Sequence, residues 1–311
     1  MSKLFTREED SAWWNELRKH PGTKFYHLHT KPPENGIIIA DKESLYTAIT
    51  YMSIAARDAG VSILAYAVMS NHFHWLIRGT EDSAASFFER FRRLLDVYLT
   101  RHGKGSVIRL IELGITEIDS LKQFRDEVAY ILRNPYVIRS DVNILCNLLT
   151  SSFLYFNPLL PLMKSTSFGK LTKADKRNLL SSSTLVLPDD TLIVDGRVVN
   201  PESFVDYKTV EALFYNAKKF SVWLLKNVEA QVEVSLRMGE NANLSDEELS
   251  PIVWKYCKDH FNNTDTGTLT PQQCKELIQE FKFNYYASNA QIARLTDIPL
   301  SMINAMFPPS Q

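Results

Sequence analysis

Thiol chemistry has little to work with in this chain. Its 311 residues include three cysteines, Cys146, Cys257 and Cys274, which lie far apart and form no Cys-x-x-Cys pair. So odd and sparse a count excludes a disulfide framework, fits a reducing compartment and leaves zinc ligation through sulfur unsupported. Net charge is equally thin, −1 at neutral pH. Bulk attraction to nucleic acid is therefore excluded, and any such binding has to come from local clusters. No apolar run approaches the ~20 residues that span a bilayer. The opening residues, Met1 to Asp10, are polar and charged, without the apolar core of a signal peptide. The expected location is cytoplasmic. Internal repeats and low-complexity tracts are also missing.

What is present is an ordinary core-forming composition, 45% hydrophobic and 23% charged. The length allows one large domain or two to three smaller ones of about 100–200 residues. Residues 24–31 are β-prone and end at Pro32-Pro33, so they read as a strand. Gly36 to Ala40 reads as a second, Ile-rich strand. Asp41 caps a helix that runs from Lys42 to Ala59 and ends at Gly60. Val61 to Met69 and His72 to Arg78 read as a hairpin turning at Ser70-Asn71. A long helix follows from Asp82-Ser83 to Arg101. Ser106 to Leu113 is the next expected strand. A helix capped by Asp119 or Ser120 then carries Tyr130 and Asn134 and stops at Pro135. This order predicts an α+β fold with a ferredoxin-like antiparallel sheet and packed helices.

Beyond residue 140 the pattern is mixed. Asp195-Gly196 between Leu-Ile-Val and Arg-Val-Val is a hairpin signal. Val210 to Val228 reads as one amphipathic helix. Ser245-Asp-Glu-Glu, Thr270-Pro-Gln-Gln273 and Ser288-Asn-Ala-Gln291 open helices in the last stretch. The pair Asn289–Leu295 and Pro299–Phe307 has helix-turn-helix spacing, although the second helix has no Arg or Lys. The expected organisation is a first domain over 1–140, an accessory mixed region over 141–235 and a helical region over 236–311.

His72-Phe73-His74 carries the sharpest chemical signal. Side chains at i and i+2 of a strand share a face, so two imidazoles project together as the start of a divalent metal site. Two half-buried histidines on a sheet would give the same text. Tyr130 and Asn134, four residues apart on a helix, also share a face. The amide oxygen suits a third ligand and the phenol a nucleophile; packing and a helix end explain the pair equally well. Arg90, Arg92, Arg93, Arg101, Lys104 and Arg109 form a basic cluster, either a solvated helix face or a track for a DNA backbone.

These segments in order resemble the HUH single-tyrosine transposases of the REP-associated branch. Ile63 to Ile77, with Asn71-His-Phe-His74, is similar to the metal-binding hairpin of that family. Phe25-Tyr-His-Leu-His-Thr30 is similar to its first strand, and Tyr130-Ile-Leu-Arg-Asn-Pro135 to its nucleophile helix. The resemblance covers roughly residues 24–156. Ser70 stands where the family usually has proline, and Arg101 to Gly105 replaces a longer Gly- and aromatic-rich segment.

The resemblance implies an HUH nuclease fold and cleavage of single-stranded or hairpin DNA through a 5′-phosphotyrosine. Tyr130 would attack, with His72, His74 and Asn134 holding Mg²⁺ or Mn²⁺. Arg90, Arg92, Arg93, Arg101 and Lys104 would hold the DNA. Also implied are a nucleoid-associated location, a homodimer and no membrane partner. Two alternatives stay open: a DNA-binding regulator on the same fold with weak catalysis, and an unrelated metal hydrolase using His72 and His74.

Overall fold

The computed structural model describes residues 14, 24–31, 37–104, 107–138, 148–226, 234–235, 244, 246–285 and 287–308, with the backbone alone at 135–138, 225–226 and 247–248. Cys146, Gly105, Ser106 and Ser245 lie outside the described residues. Contacts divide the chain into two units, Met1–Lys226 and Asn227–Gln311. The middle stretch from 148 to 226, expected as an accessory region, is thus part of the first unit.

The first unit is α+β. Strands β1 (Lys24–Thr30), β2 (Ser62–Val68), β3 (Phe73–Gly79) and β4 (Leu113–Ile118) form an antiparallel sheet in the order β2-β3-β1-β4. Helix α1 (Lys42–Ala59) links β1 to β2, and α2 (Glu81–Arg101) links β3 to β4. Each βαβ crossover skips over one intervening strand, which is the split βαβ arrangement. Helix α3 (Leu121–Ile138) follows β4.

Alternation along β3 decides the two faces of the sheet. Phe73, Trp75 and Ile77 join the core cluster that also holds Phe87 and Phe91 of α2 and Met52 of α1. Trp75 Nε1 donates to Met52 Sδ at 3.0 Å. The alternate residues face α3, where Phe25 meets Phe124 edge-on at 5.3 Å. Leu121, Phe124, Val128 and Ile131 of α3 are all buried.

Caps fall where the sequence signals them. The Asp41 carboxylate accepts from the Ser44 amide at 2.9 Å, and Gly60, at φ 68°, closes α1. Asp195 and Gly196, at φ 49° and 68°, make the turn between β6 (Leu192–Val194) and β7 (Val198–Val199). With β5 (Ser165–Ser167) these form a second sheet. It packs on α1, and the Val199 amide donates to Thr50 Oγ1 at 3.3 Å.

Four expectations are corrected. Residues 37–40 are not a strand and pair with no strand of the sheet. The amides of Ile38 and Ile39 instead donate to Ser70 O at 2.8 and 2.9 Å, tying this segment to the hairpin turn. The strand expected over 106–113 begins only at Leu113, where it meets Thr30 of β1; residues 108–110 form a 3₁₀ turn. Pro135 does not end α3, which continues to Ile138. A proline costs a helix one amide donor and clashes with the preceding turn, but it need not end it. The single helix expected over 210–228 is two, α5 (Tyr207–Phe214) and α6 (Ala217–Lys226). Tyr215 turns to φ 65° between them, and Asn216 Oδ1 caps the second by accepting from the Lys219 amide at 2.9 Å.

The outer edge of β2 is covered by later chain. Val68 N donates to Leu149 O at 2.8 Å, Tyr66 N to Ser151 Oγ at 3.0 Å and Asp206 N to Ile63 O at 2.8 Å. Covering that edge removes a template for pairing with another chain.

In the second unit, α7 (Asp246–Phe261), α8 (Pro271–Phe283), α9 (Asn289–Thr296) and α10 (Leu300–Met306) surround Cys257, Phe281 and Ile303. Both expected capping boxes, at Thr270 and Ser288, are present.

Candidate active site

The sheet face under α3 carries a cluster of four histidines. His27 and His29 come from β1, His74 from β3, and His72 from the residue just before β3. His29 is the direct cross-strand partner of His74. The rings of His72 and His74 meet edge-on with centroids 4.9 Å apart, as their spacing in sequence predicts. From α3, Tyr130 sets its ring against His74 at 5.4 Å and against His27 at 5.9 Å. Asn134, one turn further on, brings Oδ1 to 3.4 Å from His72 Nε2. Chain segments 62 residues apart thus meet at this pair.

A hydrogen-bonded row runs behind these residues. Glu127 Oε2 lies 2.6 Å from His27 Nδ1, and His27 Nε2 lies 3.1 Å from His74 Nδ1. With the His27 proton on Nδ1, facing Glu127, Nε2 accepts from His74 Nδ1–H. His74 then presents the lone pair of its Nε2. Asn71 Oδ1 lies 2.8 Å from His72 Nδ1. With the proton on that nitrogen, His72 Nε2 turns a lone pair toward Asn134. A carboxylate or amide oxygen behind an imidazole is the usual way a ligating histidine is oriented.

Burial favours the neutral form of His29, His72 and His74. Desolvation pushes His72 down to about 4, partly offset by Asn134. It pushes His29 down to about 3, helped by His27, Lys31 and His72, and it holds His74 well below the ordinary histidine value. Neutral imidazole is the ligating form. Two ligands at about 2.1 Å from one ion lie about 3.0–3.4 Å apart at right-angle to tetrahedral geometry. The His72–Asn134 spacing fits that range. Asn134 Nδ2 is buried with no partner among the described residues, whereas its oxygen is the atom aimed at His72. Also among the described residues, no group of three or more His, Cys, Asp or Glu is placed to hold a metal ion. The candidate set is of a different kind, two imidazoles and an amide oxygen.

The chain matches no family model, no curated protein and no solved structure. The reading of the site accordingly rests on its own residues.

Tyr130 is 1% exposed, so the cluster is closed to solvent under α3. Helices α5 and α6 cover α3 from behind. Arg125, for example, donates through Nε and Nη2 to Leu213 O at the end of α5, at 2.9 and 2.7 Å.

The basic cluster on α2 is partly neutralised. Arg90 pairs with Asp58 at 2.9 Å, Arg92 with Glu89 at 2.6 Å, Lys104 with Asp41 at 2.7 Å and Arg109 with Asp96 at 2.8 Å. Arg93 and Arg101 are exposed and form no ion pair among the described residues. Exposed pairs are worth about 0–1 kcal/mol, so a phosphate can displace the acid.

Sequence reasoning missed His27, His29, Glu127 and Gly114. The first two carry the same i, i+2 signal as His72 and His74. A Cβ at Gly114 would lie 2.2 Å from His29 Cε1, so the imidazole fits only over a glycine. Nothing local in the sequence marks Glu127 or Gly114, which matter only through cross-strand and helix-to-sheet contacts.

Proposed function

We propose that the first unit is an HUH-type nuclease domain that cuts and rejoins single-stranded DNA, with Tyr130 as nucleophile. The observation that carries this is the convergence of His72, His74, Tyr130 and Asn134, from a hairpin and a distant helix, on one sheet face. His72 Nε2, His74 Nε2 and Asn134 Oδ1 are the atoms that would hold a divalent cation. A hard cation such as Mg²⁺ or Mn²⁺ would supply positive charge to the scissile phosphate.

The chain's own residues do the rest. The Tyr130 phenol oxygen forms a bond to phosphorus while the bond from phosphorus to the 3′-oxygen breaks. The phenol proton is lost and the leaving oxygen gains one, giving a 5′-phosphotyrosine and a free 3′-hydroxyl. The reverse attack by a second 3′-hydroxyl joins new ends. A phenol with a pKa of about 10 is protonated at neutral pH, so it needs nearby positive charge or an acceptor. Glu127 and His27 fix the ring of His74, against which Tyr130 stands. Tyr130 is buried, so its phenol has to be exposed before a DNA strand reaches it.

Incubating the protein with labelled single-stranded hairpin DNA and Mn²⁺ tests the reading. A covalent protein–DNA adduct that vanishes in Tyr130→Phe is expected. The burial of Tyr130 favours a second reading, a DNA-binding regulator on the same fold with weak catalysis. Tight hairpin binding with no adduct at any divalent concentration would select it.

A further inference from the structure

On the opposite face of the sheet, helices α1 and α2 and the middle stretch of the chain line an open cavity of about 1080 Å³. Its wall brings together cations from four separate segments: Lys42 of α1, Arg101 at the end of α2 with Lys104 after it, Arg177 of α4 (Lys173–Leu180) and Arg197 in the β6–β7 turn. Glu43 is the acidic residue in the lining. Lys104 is engaged by Asp41, but Arg101, Arg177 and Arg197 are exposed and form no ion pair among the described residues.

Flat rings stand among these charges. Tyr46 and Tyr98 line the cavity, and Tyr98 lies against His102 with centroids 4.2 Å apart. Ser181, Ser182 and Ser183 add hydroxyls to the same wall. Guanidinium groups interleaved with aromatic faces form a site for phosphates and bases together, which is the chemistry of single-stranded nucleic acid. The volume is slightly above the range of about 300–1,000 Å³ for sites that enclose one small molecule.

Topology relates the cavity to the histidines. Helix α1 begins beyond the end of β1, and α2 ends before the start of β4. Thr30 pairs with Leu113, and His29 with His74, at that same end of the sheet. The segment leading into α1 is tied to Ser70 O, so the start of α1 lies at the end of the sheet that carries His72 and His74.

We propose that this cavity binds a short stretch of single-stranded DNA flanking the segment to be cut, through Arg101, Arg177 and Arg197, with Tyr46 as a base platform. The proposal rests on the reading of the first unit as a single-stranded DNA nuclease. Sequence alone does not assign Arg177, Arg197 or Tyr46 to DNA.

The test uses full-length protein carrying Tyr130→Phe, so that binding is measured without chemistry. Anisotropy of a fluorescein-labelled oligothymidylate of about 15 nucleotides is followed between about 50 and 200 mM salt. Adding Arg101→Ala, Arg177→Ala and Arg197→Ala should weaken binding about tenfold or more. It should also lower the salt slope by about 2, from about 0.7 per lost phosphate contact. The matching Arg→Lys triple should keep the slope, which a merely misfolded variant would not. Equal affinity and slope for the parent and the alanine triple would overturn the proposal while leaving the nuclease reading intact. So would thymidine monophosphate competing as well as the oligonucleotide, since the cavity would then be a mononucleotide pocket. A parent protein that binds no oligonucleotide would overturn both.

Discussion

Tyr130 and Tyr98 separate chemistry from packing at the scale of single residues. Both rings are buried, Tyr130 against His74 and Tyr98 against Tyr51 and His102. Phenylalanine keeps the ring of either and loses only a hydroxyl, at a cost of about 1 kcal/mol. Tyr130→Phe should therefore fold, bind divalent metal and DNA, and form no adduct. Tyr98→Phe should remain active. An adduct in the first variant and none in the second, read on a denaturing gel, would move the nucleophile to α2. The pair His29 and Gly114 gives a second test. Ala at position 114 forces the His29 ring away and should lower stability by about 1–3 kcal/mol through overpacking. Denaturant unfolding measures the loss, and loss of Mn²⁺ binding in the same variant would show that the histidine cluster acts as a unit. Calorimetric titration of Mn²⁺ into His72→Ala, His74→Ala protein completes the set. Binding equal to the wild type would remove the metal site from these two residues.

The start of α1 shows what an element owes to one cap. The Asp41 carboxylate accepts from the amide and hydroxyl of Ser44 and from Lys104 Nζ. Partial burial raises its pKa, but these hydrogen bonds outweigh that and hold it at about 2. A depressed carboxylate stabilises the fold above its unfolded pKa of about 3.9, and that stability is lost as pH falls through about 2. Asp41→Ala should cost about 1 kcal/mol at neutral pH, the worth of an N-cap. The wild type and variant should converge in stability as pH approaches 2. Thermal unfolding across pH measures this, and a difference that stays constant below pH 3 would contradict it. The basic helix α2 is a different case. Its cationic text was plain in the sequence, but acids that neutralise it, such as Asp58 and Asp41, come from α1 and its cap.

For the whole molecule, the division at Lys226 makes a clean deletion possible. In the second unit, Arg294 is engaged by Asp246 at 2.7 Å, and α10 carries no cation for base contacts. Removing residues 227–311 should leave hairpin affinity and adduct formation within about twofold of the full chain, well short of the about tenfold that 1.4 kcal/mol represents. Gel-shift and adduct assays check this. A larger loss would assign DNA recognition to the helical unit. No described helix is long and apolar enough to cross a membrane.

The sequence by itself determined the strands of the β2–β3 hairpin, the caps of α1, α8 and α9, the Asp195-Gly196 turn and the shared face of His72 and His74. Each of these depends on residues within a few positions of one another, where period and cap chemistry act directly. Only the tertiary structure decided where the β4 strand starts, because Leu113 is fixed by the free edge of β1 and not by its own β-propensity. It also decided that 37–40 ties down the hairpin turn and that Leu149 and Ser151 close the β2 edge. Above all, it brought Glu127 to His27 across 100 residues and Asn134 to His72 across 62. Local pattern carries no information about which helix covers which sheet face; burial of the apolar side of α3 settles that, and with it the composition of the site.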